Sequence, residues 1–374
     1  MIYLENNVFD EALNRIRYIY DEFDDVIVSM SGGKDSTVCF NLAMIVAKER
    51  NRLPLKVFWL DQEAEWQSTV DYMDSVMRNP DVKPYWFQVP FDFTNSLSPQ
   101  RNFIHLWAPE DEAIWIRPHS DIAITTCKSK DKRFHQLIKS LQSECTESDK
   151  AIALCGMKVS ESFMRRVALT TGKSRYKGTM WISKKQKGKV QTAYPIYDWE
   201  DADVWTAIAK NHWAYNKLYD KQYQWGLPKK DMRCSALIHE TAWQHIERLQ
   251  EFEPETYNKF CRRVPGTDTF SHAFETNVVP KQLPFMFRDW KEYRDYLLAH
   301  LVKPEYWGIF KKRWRGQESE HWYKVHIREV IVNDIDGTIN ASRMLSTTEG
   351  EGGYDKRPAN KFRAVDSCIQ SVCK

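Results

Sequence analysis

Asp25-Val26-Ile27-Val28-Ser29-Met30-Ser31-Gly32-Gly33-Lys34-Asp35-Ser36 decides the fold. The first half is a short, mostly apolar run, the pattern of a strand buried on both faces of a parallel sheet. The second half turns through two glycines, and from Asp35-Ser36 onward Val38, Leu42, Ile45 and Val46 line the inner side of a helix. The order is strand, phosphate-binding loop, helix. A polyphosphate needs backbone amides that can approach it closely, and Gly32 and Gly33 have no Cβ to prevent this. The helix N-terminus adds partial positive charge, and Lys34 adds a full one. The spacing departs from G-x-x-x-x-G-K-[ST], because Lys34 is followed by Asp35 and not by a hydroxyl residue. An acid beside a phosphate site reads as a magnesium ligand or a first-turn cap.

The alternation of helix and strand continues on both sides. Phe9, Leu13, Ile16 and Tyr20 predict a helix over residues 8–22. Leu55 to Asp61 reads as the next strand, with Asp61 at its carboxyl end, the edge where open α/β sheets bind ligands. Glu63 and Glu65 follow, and the plain alternative is that these acids are solvated and cap a helix near 66–77. A third strand is expected over Tyr85–Val89. Residues 91–120 show little periodicity but carry Arg101, His105, Trp107, Trp115, Arg117 and His119, and read as a loop walling the substrate site. A helix over 131–143 and a buried strand over Ala151–Gly156 complete the pattern. The expectation is a doubly wound, mostly parallel α/β sheet over residues 1–210, a helical accessory region over 211–345 and a flexible tail over 346–374.

Ser31 to Ser36 resembles the loop of the ATP pyrophosphatases, the adenine nucleotide alpha-hydrolase-like (PP-loop) superfamily that includes phosphoadenosine phosphosulfate (PAPS) reductases and DNA- and tRNA-modifying enzymes. The resemblance implies that ATP is cut between its α and β phosphates, that a substrate oxygen is adenylated, and that pyrophosphate stays on the loop. PAPS reductases carry a degenerate loop, so the intact motif favours ATP over PAPS. On this resemblance Lys34 and the 31–36 backbone hold the diphosphate, Asp35 places Mg²⁺, and Ser29, Ser31, Gly32, Gly33, Ser36, Asp61 and Glu63 surround the nucleotide.

Gly156-Met157-Lys158-Val159-Ser160-Glu161-Ser162-Phe163-Met164-Arg165-Arg166 is similar to the superfamily's G-x-R-x-x-E-S-x-x-R segment. Lys158 stands where arginine is usual and supplies a point charge instead of a fork. The resemblance implies that Arg165 contacts the α-phosphate or substrate, with Gly156, Lys158, Glu161, Ser162 and Arg166 nearby; a salt bridge from Arg165 to Glu161, one turn away, is the plain alternative. Thr125-Thr126-Cys127-Lys128 is similar to a cysteine segment near the transferred group, which makes Cys127, Lys128, Lys132, Arg117 and Cys234 candidates on the substrate side. Only one cysteine is present there, so an iron–sulfur cluster is not expected. Tyr194 to Trp205 resembles P-x-x-D-W-x-x-x-D-V-W, with Asp201 as a helix cap and Trp199 and Trp205 as packing anchors. Segments from Tyr215 to Tyr257 resemble the IbrA/YbdN-type branch of PAPS-reductase-like proteins, usually paired with a ParB-like partner.

With 42% apolar and 28% charged residues over 374 positions, the composition is globular. A net charge of +3 does not by itself imply a polyanion partner, so nucleic-acid contact would have to come from local clusters. Two exist: residues 158–189 hold ten Lys or Arg against the single acid Glu161, and Lys311-Lys312-Arg313-Trp314-Arg315 interleaves cations with tryptophan. The first also suits a lid over ATP phosphates or a solvated hairpin. The eight cysteines contain no C-x-x-C and read mainly as buried reduced thiols. His239-Glu240 and His245 lack the H-E-x-x-H spacing. No run approaches 18 apolar residues and the start has no signal-like pattern, so a cytoplasmic protein with no membrane contact is expected. Three functions stay open: an ATP α,β-cleaving enzyme acting on a nucleic acid or partner-bound acceptor; a PAPS or APS reductase needing a redox cysteine; and an ATP-sensing regulator working with a ParB-like protein. Acceptor, possible sulfur chemistry and oligomeric state are not legible.

Overall fold

β1 (Asp25–Ser29) is buried on both faces, as its apolar run requires, and sits at the centre of a parallel sheet. The computed structural model describes residues 6–95, 102–161, 166–167, 176–184, 190–229, 232–234, 236–238, 246–267 and 279–337. Beside β1 lie β2 (Leu55–Leu60) and then β3 (Val82–Phe87). A two-stranded antiparallel hairpin follows, formed by β4 (Phe91–Thr94) and β5 (Phe103–Leu106). On the other side of β1 are β6 (Ala151–Cys155) and β7 (Gln191–Ala193), giving the order β3-β2-β1-β6-β7. The register pairs Val28 with Val57 on one side and with Leu154 on the other.

Alternate residues of these strands feed two separate cores, as the two-residue pleat dictates. Val26 and Val28 of β1, with Val57 and Trp59 of β2, face helices α1 (Val8–Glu22), α2 (Lys34–Glu49) and α3 (Gln67–Met77). Ile27, Phe58 and Leu60 face the opposite way, onto α4 (Phe134–Glu144) and the β4–β5 hairpin. The result is a helix–sheet–helix sandwich, the α/β architecture expected. Each large apolar side chain buried this way contributes roughly 1.5–3 kcal/mol.

The helices after β7 are α5 (Asp201–Lys210), α6 (Leu218–Gln224), α7 (Ile246–Phe252) and α8 (Pro254–Arg263). Tyr219, Leu249 and Phe260 of the last three join the second core. A helical region follows, with α9 (Trp290–Leu301), α10 (Trp307–Arg313) and α11 (Glu320–Ile331) around Leu298, Phe310, Trp314 and Val330. Asn333 ties it to the hairpin: its Nδ2 donates to Asn95 O at 3.0 Å and Asn102 O at 3.1 Å.

The structure corrects several boundaries. The third strand begins at Val82, three residues before the expected start, and Phe91–Thr94 and Phe103–Leu106 pair as a hairpin where a loop was expected. A 3-10 turn over Pro109–Ile114 follows it. The tail 346–374 lies outside the described residues.

Candidate active site at the phosphate loop

The order in which strands are added reverses at β1. From β1 the chain steps through α2 to β2 and α3 to β3, while β6 takes the opposite flank, so a crevice opens at the carboxyl ends of β1 and β6. That is where open α/β sheets bind ligands. The loop of residues 30–33 lies on the β1 side. Gly32 has φ +71°, and a Cβ there would fall 2.6 Å from Thr69 Cγ2, so both backbone and space require glycine. Gly33 caps α2 without a side chain of its own. Ser36 Oγ donates to Gly33 O at 2.9 Å and accepts from Ser31 N at 3.3 Å, which fixes the turn from inside. Asn216 Nδ2 braces it from outside, donating to Gly32 O at 3.2 Å and Thr69 Oγ1 at 2.9 Å. Lys34 N donates to the Tyr219 hydroxyl at 3.2 Å.

On the β6 side Gly156 touches α2 directly: a Cβ there would lie 2.6 Å from the carbonyl carbon and oxygen of Asp35. This approach brings Lys158 to the first turn of α2. Its Nζ is fully buried, 2.9 Å from Asp35 Oδ1, and bonded to Asp201 Oδ1. Lys34 Nζ lies 3.2 Å from Asp35 Oδ2 and 3.5 Å from Asp201 Oδ1. Two ammonium groups and two carboxylates thus meet at the helix N-terminus. Burial works against the charge on Asp201, but the Lys158 hydrogen bond and the field of Lys34 outweigh it and hold the carboxyl below its usual range. Asp201 was expected to cap a helix. Instead Glu200 holds that position, its N–H donating to Asp203 Oδ2 at 2.8 Å, and Asp201 is free to face the lysines.

The three acids after β2 are buried, not solvated. Asp61 accepts from Trp86 Nε1 at 3.1 Å, Gln88 Nε2 at 2.8 Å, Glu63 N at 2.9 Å and from Arg117. Glu63 accepts from Trp107 N at 2.7 Å and is gripped by Arg263 of α8, Nε to Oε1 at 2.6 Å and Nη2 to Oε2 at 3.1 Å. Burial first, and the charge of Asp61 second, push the Glu65 carboxyl up to about 8, so it is neutral near pH 7. The His119 ring packs at a tilt against Trp107 and Trp115, at 4.8 Å and 4.5 Å between centroids.

Cys234 lies against the loop: its Sγ is 3.7 Å from Ser31 O and 3.8 Å from the Tyr219 hydroxyl. Burial pushes its thiol up to about 12. The remaining candidates are more dispersed. Ser29 Oγ accepts from Gln142 Nε2 at 2.7 Å, on the α4 side. Cys127 is half-buried with Sγ 3.7 Å from Ser129 O, Lys128 N donates to Glu144, and Lys132 lends its carbonyl to Asp92 N at 2.7 Å. The Lys128 and Lys132 side chains are exposed, as is Arg166. Ser162, Arg165 and the side chain of Glu161 fall outside the described residues, as do most of the basic segment 158–189 and the His239, Glu240 and His245 triplet. Among the described residues no cluster of three or more His, Cys, Asp or Glu is placed to hold a metal ion.

Residues that the sequence did not single out complete the site: Asn216 and Tyr219 on the loop, and Arg263 behind Glu63. Only Asn216 and Tyr219 had a sequence signal, since they belong to the Tyr215-to-Asp220 segment.

Sheet order, switch-point crevice and glycine–lysine loop define an α/β fold of the adenine nucleotide alpha-hydrolase-like class. The chain belongs to the phosphoadenosine phosphosulfate reductase domain family, whose model matches residues 25–225, a family named for an enzyme that acts on a nucleotide. The uncharacterized protein YbdN of Escherichia coli K12 is 28% identical over 311 residues, 78% of this chain and 75% of its own. The uncharacterized protein MJ0973 of Methanocaldococcus jannaschii is 26% identical over 232 residues, covering 62% of this chain and 46% of its own. Among solved structures, FMN adenylyltransferase of Candida glabrata with FMN and an ATP analogue aligns with TM-score 0.34 and 14% identity, over 59% of this chain and 64% of that one, less than two thirds. The PAPS reductase of Candida auris in its phosphate complex aligns at 0.33 and 14%, over 59% of this chain and 93% of that one. At such TM-scores neither structure bears on the reaction of this chain. Among the described residues no helix is long and apolar enough to cross a membrane.

Proposed function

We propose that this chain binds ATP on the 31–36 loop and catalyses attack of an acceptor oxygen on the α-phosphorus, with release of pyrophosphate. The convergence of Lys34, Lys158, Asp35 and Asp201 at the N-terminus of α2 carries the reading. Loop amides and Lys34 bind the β,γ-diphosphate. Lys158, set by the Gly156 contact, neutralises charge near the α-phosphate, a task it shares with Arg165. In the reaction a bond forms between acceptor oxygen and α-phosphorus while the bond from that phosphorus to the bridging oxygen of the β-phosphate breaks. Fixed charge placed where negative charge develops typically lowers such a barrier by several kcal/mol.

Asp35 and Asp201 fit a magnesium ion. Both lie at the α2 N-terminus, where Asp35 Oδ1 pairs with Lys158 at 2.9 Å and Asp201 with both lysines, and magnesium is commonly held by one or two carboxylates plus substrate phosphates, so the ion would share these carboxylates with the ammonium groups. Magnesium supplies charge neutralisation on the diphosphate when bound. Asp61 and Glu63 hold the rim that faces the nucleoside. The acceptor is a nucleic acid or a group carried by a partner protein of the ParB-like kind.

Product analysis tests this reading. The purified chain is incubated with ATP and Mg²⁺, with and without DNA or RNA, beside Lys34→Ala. Pyrophosphate formed by the native chain and lost in the variant is the expected result, with the adenylyl group recovered on the acceptor or, where water attacks or the adenylate is then cleaved, as AMP. ADP, or no product under any condition, overturns the enzyme assignment, and bound but uncleaved ATP favours a nucleotide sensor.

A further inference from the structure

The geometry points to a second ligand site, in the C-terminal helices: a cleft of about 420 Å³ between α9 and α10 that takes a nucleoside phosphate. Its lining includes Arg294, Trp307, Lys311, Trp314, Arg315 and Glu318. Arg294 is buried and rigidly held. Its guanidinium lies 5.0 Å over the Trp314 ring and 5.1 Å over that of Tyr323, and Nη1 approaches His326 Nδ1 at 3.4 Å. His326 itself is stacked on Trp314 at 4.5 Å and accepts no proton near neutrality, because burial and the adjacent Arg294 push its pKa down to about 3.

The charge balance leaves an anion site. Of the two acids in the lining, Asp295 is 2.7 Å from Arg294 Nη2, and Glu318 accepts from the Tyr323 hydroxyl at 2.6 Å with Lys291 Nζ 3.5 Å away. Both are committed. Lys311 and Arg315 are exposed on the cleft and have no carboxylate within ion-pair distance among the described residues. Lys311 Nζ lies over the Trp307 ring, 5.3 Å from its centre, and that ring's Nε1 is fixed to Val302 O at 2.8 Å, so a cation and a flat apolar wall meet at the cleft. Phosphate on Lys311 and Arg315 with a base against Trp307 is the chemistry these neighbours recognise. Gly316 leaves the mouth open, as a Cβ there would meet nothing within 4 Å. This site is independent of the reaction proposed at the phosphate loop.

The test uses the full chain with Lys34→Ala throughout, so that the phosphate loop does not dominate the signal. The probes are a short fluorescein-labelled oligothymidylate read by anisotropy at low salt, and AMP read by calorimetry. Both probes are repeated with the Lys311→Glu/Arg315→Glu double variant and with Lys312→Glu, an exposed neighbour outside the cleft lining. The expected result is at least tenfold weaker binding in the double variant and little change in Lys312→Glu. A strand that binds without competition from AMP identifies nucleic acid as the source, and tight AMP binding identifies a free nucleotide. Absence of binding by both probes, or equal weakening by Lys312→Glu, overturns the proposal.

Discussion

Arg263 and Glu63, 200 residues apart in the sequence, form a fully buried two-pronged ion pair at the rim of the phosphate-loop crevice, with contacts of 2.6 Å and 3.1 Å. Arg263→Met leaves the Glu63 carboxylate in the interior without its cation. Removal of one partner from such a pair costs about 3–5 kcal/mol, while removal of both charges is far milder. Urea unfolding followed by circular dichroism is expected to show that loss for Arg263→Met and partial recovery for Arg263→Met/Glu63→Gln. Equal losses in both would mean that the charge on Glu63 is not what Arg263 satisfies.

Gly156→Ala forces a methyl group to 2.6 Å from the Asp35 carbonyl, a backbone contact that no side-chain rotation relieves. The first turn of α2 must shift. The variant is expected to fold with a loss of about 1–3 kcal/mol and to bind ATP at least tenfold more weakly, measured by calorimetry. Native affinity would show that the Lys158 cluster tolerates displacement.

Stability is expected to fall with rising pH through Glu65. Its folded pKa of about 8 lies above the ordinary value of 4.5, so between those limits the folded chain keeps a proton that the unfolded chain has released. The stabilisation is complete below about pH 4.5 and is lost by about pH 8, at a limiting slope of about 1.4 kcal/mol per pH unit. Glu65→Gln removes this slope, so the variant gains on the native chain as pH rises. Parallel denaturation curves for the two at pH 5 and pH 8 would refute a neutral Glu65.

Much of this was written in the chain and much was not. Asp25 to Ser36 reads directly, because a two-sided apolar strand, two glycines and a helical period are all local. The carboxyl-end position of Asp61 follows from the same logic. Local periodicity carried no trace of β4 and β5, whose four residues each are stabilised by pairing with one another and by burial of Phe91, Phe93, Ile104 and Leu106 in the second core. Asp201 was misread because helix-cap chemistry and lysine pairing use the same residue type. Only the fold places it beside Lys158 and Lys34, and only the fold brings Arg263 to Glu63.

Cys234 bears on the reductase alternative. Its buried thiol, pushed up to about 12, is almost wholly protonated at neutral pH, and the thiolate is the reactive form. Native protein is expected to leave Cys234 unmodified by an aromatic disulfide reagent until it is denatured, and Cys234→Ser to form AMP from ATP at close to the native rate. Rapid modification of Cys234 together with loss of turnover in the serine variant would restore thiol chemistry at the loop.

The grip of Arg263 on Glu63 also sets an order of events during synthesis. The phosphate loop, Lys158 and Asp201 all emerge before residue 225, where the family match ends. Until α8 leaves the ribosome, the Glu63 carboxylate has no guanidinium to pair with, so a chain cut at residue 225 carries Lys34, Asp35, Lys158 and Asp201 but leaves that buried carboxylate without its cation. A piece that keeps the Glu63 carboxylate paired therefore runs past the family boundary to Arg263.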